Sequence, residues 1–158
     1  MRWRDAANAY MDPMKTLLLA FAISLLPVAA AHADPLDGLR GEKRALLLFS
    51  KSRSLSSLDR FVDLLRERRP DLEDRDMVVL VTAGSDPTYS AIGYTSLPSG
   101  ANRDLRRRFR PQASGLTIVL VGKDGTEKAR YLQTVDPDIV FDIVDAMPMR
   151  QREIEERS

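Results

Sequence analysis

The chain has 158 residues, with 24 Lys and Arg, 23 Asp and Glu, one His, one Trp and no Cys. His32 and Trp3 both fall in a leader-like N-terminal stretch, and removing residues 1–33 takes away Arg2, Arg4, Lys15, Asp5 and Asp12, leaving 21 basic and 21 acidic groups. The remainder therefore lacks the side chains for a Ser-His-Asp or Cys-His site, a thiol redox centre, a disulfide or a His/Cys zinc site, and its neutrality argues against a general polyanion binder.

Lys15 precedes an apolar run over residues 17–26, followed by Pro27 and the small-residue stretch Ala31-His32-Ala33. This layout predicts a Sec-type signal peptide over residues 14–33, cleaved after Ala33. The run is too short to span a bilayer comfortably, so no stable membrane anchor is expected after cleavage. Residues 1–13 read as an upstream extension ahead of Met14, because Asp5 and Asp12 precede a segment that should begin basic. The expected destination is periplasmic or secreted. Export permits disulfides, but without Cys the domain must be stabilised by packing alone.

Residues 45–49, Ala-Leu-Leu-Leu-Phe, form a continuous apolar run bounded by polar residues, the pattern of a strand covered on both faces. Leu55, Leu58, Phe61, Val62 and Leu65 then recur at helical steps, with Arg60, Asp63, Arg66 and Glu67 turned outward, Ser54 placed to cap and Pro70 closing the helix. Residues 77–81 predict a second buried strand, introduced by the charged residues 71–76, which read as a solvated linker. Together these make a β-α-β unit with a right-handed crossover.

Residues 84–100, rich in Gly, Ser, Thr and Pro around Tyr89, Ile92 and Tyr94, read as one long loop. Asn102 is placed to cap a short helix carrying Leu105 and Phe109, which ends at Pro111. Residues 116–121, the turn Gly122-Lys123-Asp124-Gly125 and residues 126–133 predict a β-hairpin. Asp136-Pro137-Asp138 supplies a cap, a first-turn Pro and a first-turn carboxylate for a helix burying Ile139, Val140, Ile143, Val144 and Met147. Pro148 ends that helix, and residues 149–158 read as a charged tail, with 154–158 beyond the domain.

The order β-α-β, helix, β-hairpin, C-terminal helix resembles the thioredoxin fold, an α/β three-layer sandwich with a mixed sheet of four strands. The string Leu120-Val121-Gly122-Lys123-Asp124-Gly125, the later run from Asp145 to Glu153, and Arg75-Asp76 before the second strand resemble the secreted bacterial family known as domain of unknown function 4174. The resemblance covers residues 36–153. It implies a fold and a compartment, with no established activity and no cofactor. Thioredoxins carry Cys-x-x-Cys at the first helix start, where this chain has Ser54-Leu55-Ser56-Ser57. They also carry a cis-Pro before the third strand of this core; here Leu116 stands at or near that position and a trans bond is expected. Ser54, Ser57 and Leu116 thus mark a degenerate redox site without thiol chemistry.

No catalytic or metal site is assigned from the residues. Ser54 or Ser57 would need Lys51 or Lys43 as a base, and capping is the simpler role. Arg103, Arg106, Arg107 and Arg110 recur at i, i+3, i+4 and i+7, so a continuous helix would place them on one face, a candidate anion surface. Met147 and Met149 could offer thioethers to Cu(I), but packing is the simpler account. In a thioredoxin-like sheet the segments of the family motif converge at the pole opposite the helix start. Arg75, Asp76, Lys123, Asp124, Arg150, Arg152 and Glu153 are therefore a candidate binding surface or an ion-pair network holding the C-terminal segment. The expected function is an exported, non-redox interaction module whose partner is a protein or small anion rather than nucleic acid. The alternatives are a divergent thioredoxin- or peroxiredoxin-like enzyme without thiol chemistry, or a small-anion binder using the Arg-rich helix.

Overall fold

Three apolar runs build the centre of the sheet: β1 (Arg44–Ser50), β2 (Met77–Ala83) and β4 (Leu116–Val121). The computed structural model describes residues 34–158 apart from Tyr94. The expected signal peptide and its cleavage point, residues 1–13 and Tyr94 lie outside the described residues. β1 pairs parallel with β2 and antiparallel with β4, and every residue of the three strands is buried. Two further strands, β3 (Tyr89–Ile92) and β5 (Glu127–Tyr131), complete a five-stranded sheet in the order β3-β2-β1-β4-β5.

Strand alternation divides the core in two. Leu46, Leu48, Val79, Val81, Ile118 and Leu120 face α1 (Ser56–Glu67), α2 (Arg69–Asp74) and α4 (Pro137–Asp145). Ala45, Leu47, Phe49, Val78, Leu80, Val119 and Val121 face α3 (Ala101–Phe109) and a 3-10 turn over Asp37–Leu39. Each fully enclosed Leu or Val contributes about 1.5–3 kcal/mol relative to exposure, so the two-sided sheet is the main stabilising element. This is the three-layer arrangement expected from the sequence, with one strand more than the predicted four.

The extra strand explains itself. β3 is a short edge strand whose pairing with β2 shifts register between Val79 and Leu80. The irregularity sends Tyr89, Ala91 and Ile92 to the same core cluster, so the period-two signal that would reveal a strand is broken. Residues 71–76 are not a solvated linker: most belong to α2, anchored by the fully buried Leu72. Pro70 sits in the first turn of α2 rather than closing α1. Residues 149–158 are not a tail but most of α5 (Pro148–Arg157), which Pro148 begins and in which Arg150 is buried. Asp136 caps α4 as predicted, accepting from the Asp138 amide, but Ile139 is half-exposed and Phe141 takes the inner position.

Two expected caps are absent. α1 starts after Leu55 with no side-chain cap, so Ser54 lies one residue too early to serve. α3 starts after Gly100, in the left-handed conformation, while the Asn102 side-chain amide donates instead to the carbonyls of Gly84 at 3.3 Å and Asp86 at 2.5 Å. Every described peptide bond is trans. Leu116, at the start of β4, pairs across from Ser50 and is buried in the core.

Candidate functional site

The pole holding the start of β1 and β2 concentrates charge. Arg44, the first residue of β1, lies on the sheet face of Leu46 and Leu48 and is 1% exposed. Its guanidinium makes a bidentate contact with Glu153 of α5, at 3.0 and 3.1 Å, and donates to the Arg75 carbonyl at 2.8 Å. Lys123, in the turn after β4, is 8% exposed and bridges Glu153 at 2.7 Å and Asp76 at 2.9 Å. Asp76 also meets Lys43 at 3.4 Å. Its φ of +50° is a left-handed conformation that a short polar side chain tolerates.

A second set joins α2, α4 and α5. Arg150 donates to the Asp145 carboxylate at 3.1 Å, to the Asp74 carbonyl at 2.8 Å and to the Asp74 carboxylate. Arg75 reaches Asp145 at 2.6 Å and the Asp71 carbonyl at 3.0 Å, with its guanidinium 4.8 Å above the Phe141 ring. Arg157 reaches Asp74 at 3.2 Å and Asp76 at 3.7 Å. Among buried polar side-chain atoms of the described residues, Arg44 Nε and Arg75 Nε stand without a partner.

The titration of these carboxylates follows from burial opposed by pairing. Burial alone would raise Asp76, but the Lys123 hydrogen bond and charge, with Lys43, outweigh it and hold Asp76 below its ordinary range. Burial is likewise overcome at Asp145 by Arg75 and Arg150, and at Glu153 by Arg44 and Lys123, so both are lowered. The network thus favours its charged form, and the arrangement is a lock that fixes α5 against the sheet.

Of the predicted polar residues, the structure brings together Arg75, Asp76, Lys123, Arg150 and Glu153. Asp124 stands at the same turn but pairs with Lys128 at 2.6 Å and with Thr126; the Lys128 hydrogen bond, acting against slight burial, brings its pKa down to about 2. Arg152 is exposed and forms no ion pair among the described residues. Sequence reasoning missed Lys43, Arg44, Asp74, Asp145 and Arg157 as members. A charged residue directly abutting an otherwise apolar strand run was the available signal for Arg44.

The Arg-rich helix does not present one cationic face. Arg106 turns inward, donating to the carbonyls of Ser50 at 2.6 Å and Thr82 at 2.9 Å and to Asn102 at 3.0 Å. Arg103 and Arg107 lie at 3.8 and 3.0 Å from Asp104. Arg110 ends the helix with φ +44°, which takes it off the helical register. At the start of the first helix, Ser57 is the second residue of α1, and no hydrogen bond joins the side chain of Ser54 or Ser57 to a base among the described residues. Lys43 is at the far end of β1, paired with Asp76, so it is not a base for either serine. Met147 packs against the core and Met149 is exposed.

Residues 35–153 match the family described as a domain of unknown function, DUF4174, and the chain belongs to that family. It is 31% identical over 115 residues to the human Sushi repeat-containing protein SRPX, covering 72% of this chain and 25% of that protein. It is 24% identical over 127 residues to the rat Sushi repeat-containing protein SRPX2, covering 80% of this chain and 27% of that protein. The chain thus spans about a quarter of the length of these curated relatives. Among solved structures it is similar to the reduced 2-Cys peroxiredoxin of Plasmodium vivax, with TM-score 0.56 at 16% identity over 74% of this chain and 84% of that one. It is also similar to Plasmodium yoelii thioredoxin peroxidase I, with TM-score 0.51 at 13% identity over 74% and 79% of the two chains. At these identities the likeness shows a thioredoxin-like fold and nothing of the chemistry.

Proposed function

We propose that this member of the DUF4174 family is an exported, non-redox binding or interaction module built on a thioredoxin-like domain. The observation that carries the reading is the state of the first helix start: Ser54 and Ser57 stand where the fold carries thiols, and no base is hydrogen-bonded to either among the described residues. A serine hydroxyl without such a base is a weak nucleophile near neutral pH. The match to about a quarter of each sushi-repeat relative supports a domain that works as one part of a larger assembly.

Export is part of the proposal and rests on the signal layout of residues 14–33. Protein made in a diderm bacterium should begin at Asp34 on N-terminal sequencing, and a start at Met1 or Met14 would refute it. The interaction reading is tested by photo-crosslinking in the cell, with the probe placed in turn at exposed positions including Leu64, Glu127, Leu132 and Met149. A discrete adduct confined to neighbouring positions is expected; absence of any adduct across the scan would overturn the reading.

A further inference from the structure

Arg106 is held more firmly than a surface arginine. Two strand-end carbonyls and Asn102 accept from its Nη2 and Nε, and its guanidinium carbon stands 6.0 Å from the centre of the Phe49 ring. All these acceptors are neutral, and no carboxylate lies within ion-pair distance of Arg106 among the described residues. Burial lowers its pKa with no carboxylate offsetting the effect, and a guanidinium nevertheless stays charged at neutral pH. Its Nη1 makes no hydrogen bond among the described residues, and the side chain lines an open cavity.

Beside it is an open cavity of about 470 Å³ whose lining includes Lys51, Ser85, Arg106, Arg110 and Gln112, and contains no Asp or Glu. Lys51 and Arg110 are exposed and form no ion pair among the described residues. On the other side of Arg106, Asp86 is within 3.6 Å of Arg53. The C-terminal carbonyls of α3 oppose an anion here, but Arg130 covers one of them, donating to Phe109 at 2.8 Å.

We propose that this cavity, at the C-terminal ends of β1 and β2, binds a tetrahedral oxyanion such as phosphate, sulfate or a phosphomonoester, held by Lys51, Arg106 and Arg110. Three cations with no carboxylate among them suit a multiply charged oxyanion better than a singly charged carboxylate, and Arg106, whose Nε and Nη2 are already engaged, offers its Nη1. The inference is independent of the interaction reading, since a module can carry a ligand whatever its partner.

The test measures thermal stabilisation and amide chemical-shift changes of the chain, expressed with its leader and purified as the cell delivers it. Phosphate, sulfate and glycerol 3-phosphate are added at ionic strength matched with chloride, and vesicles containing phosphatidic acid are assayed by co-sedimentation. Stabilisation beyond the chloride control is expected, with shifts around Ser85 and Arg110. Lys51→Glu with Arg110→Glu should weaken binding about tenfold or more, the scale of a lost charge-assisted hydrogen bond. Arg103→Glu with Arg107→Glu, which changes net charge equally, should leave binding in place. Binding of free anions points to a soluble ligand, and vesicle binding alone, lost in the first variant, points to a lipid phosphate. No response beyond chloride and no vesicle binding, or equal loss in both variants, would overturn the proposal.

Discussion

The two ends of the sheet bury positive charge in opposite ways. At the start of β1 and β2, Arg44, Lys123 and Arg150 are each less than a tenth exposed and each faces carboxylates, chiefly Glu153, Asp76, Asp74 and Asp145. At the other end, Arg106 is half-buried against carbonyl and amide oxygens that order it without neutralising it. A buried charge is costly unless it is paired. The first pole is therefore a closed lock that holds the last helix, whereas the second retains an uncompensated cation beside an open cavity. The start of α1 lies at this second pole, where the chain carries Ser54 and Ser57 near the fixed Arg106 guanidinium.

The sharpest way to break this contrast is to remove the carboxylate at the centre of the lock. Glu153→Ala leaves Arg44 and Lys123 facing an empty position, and should cost about 3–5 kcal/mol in urea unfolding, the usual penalty for stranding a buried charge. Adding Arg44→Met should recover a large part of that loss, because it removes the stranded cation and supplies apolar packing. A loss confined to about 0.5 kcal/mol would mean that α5 is merely resting on the surface.

Acid should act on the same pole. Asp76, Asp145 and Glu153 have folded-state pKa values below their ordinary ones. The unfolded chain then binds more protons than the folded one as pH falls below about 4.5, so stability present above that point is lost through the lowered folded values. Urea midpoints measured from pH 7 down to pH 3 should hold until about pH 5 and then fall. The fall should be shallower in Glu153→Gln. A midpoint that did not move with acid would contradict the pairing geometry.

Much of this molecule can be read from apolar pattern and much cannot, for one physical reason. β1, β2, β4, α1 and α4 announce themselves because their burial is achieved by Leu, Ile, Val and Phe at strand or helix spacing. The meeting of Arg75, Asp76, Lys123, Arg150 and Glu153 was also legible, since it follows from the strand directions of a thioredoxin-like sheet and from the final helix returning to the same pole. α2 and α5 were hidden because they dock largely through charged side chains, with Leu72 as the buried apolar anchor of α2 and Arg150 as the buried residue of α5. A residue buried by pairing looks like a solvated one in a sequence. The inward turn of Arg106 was missed on the same ground, since its acceptors are backbone carbonyls that every residue possesses.

At the second pole, Arg106→Lys keeps the charge and removes the fork. An ammonium cannot reproduce the contacts to Ser50, Thr82 and Asn102 together, so a loss of about 1–2 kcal/mol is expected. That smaller cost, against the larger one for Glu153→Ala, separates a cation held by neutral acceptors from one held by a counter-ion. Equal costs at the two poles would collapse the distinction.

The smallest effects concern the starts of α1 and α4. Asp136 accepts from the Asp138 amide at 3.0 Å, so Asp136→Ala should cost about 1 kcal/mol, the value of a side-chain cap. Ser54 stands before the Leu55 cap position and satisfies no helix amide, so Ser54→Ala should stay within about 0.5 kcal/mol of the parent in thermal unfolding. A serine that neither caps nor meets a base has no structural call on its hydroxyl. A loss at Ser54 as large as that at Asp136 would show that the hydroxyl satisfies the first turn of α1 after all, restoring the capping role that the sequence suggested.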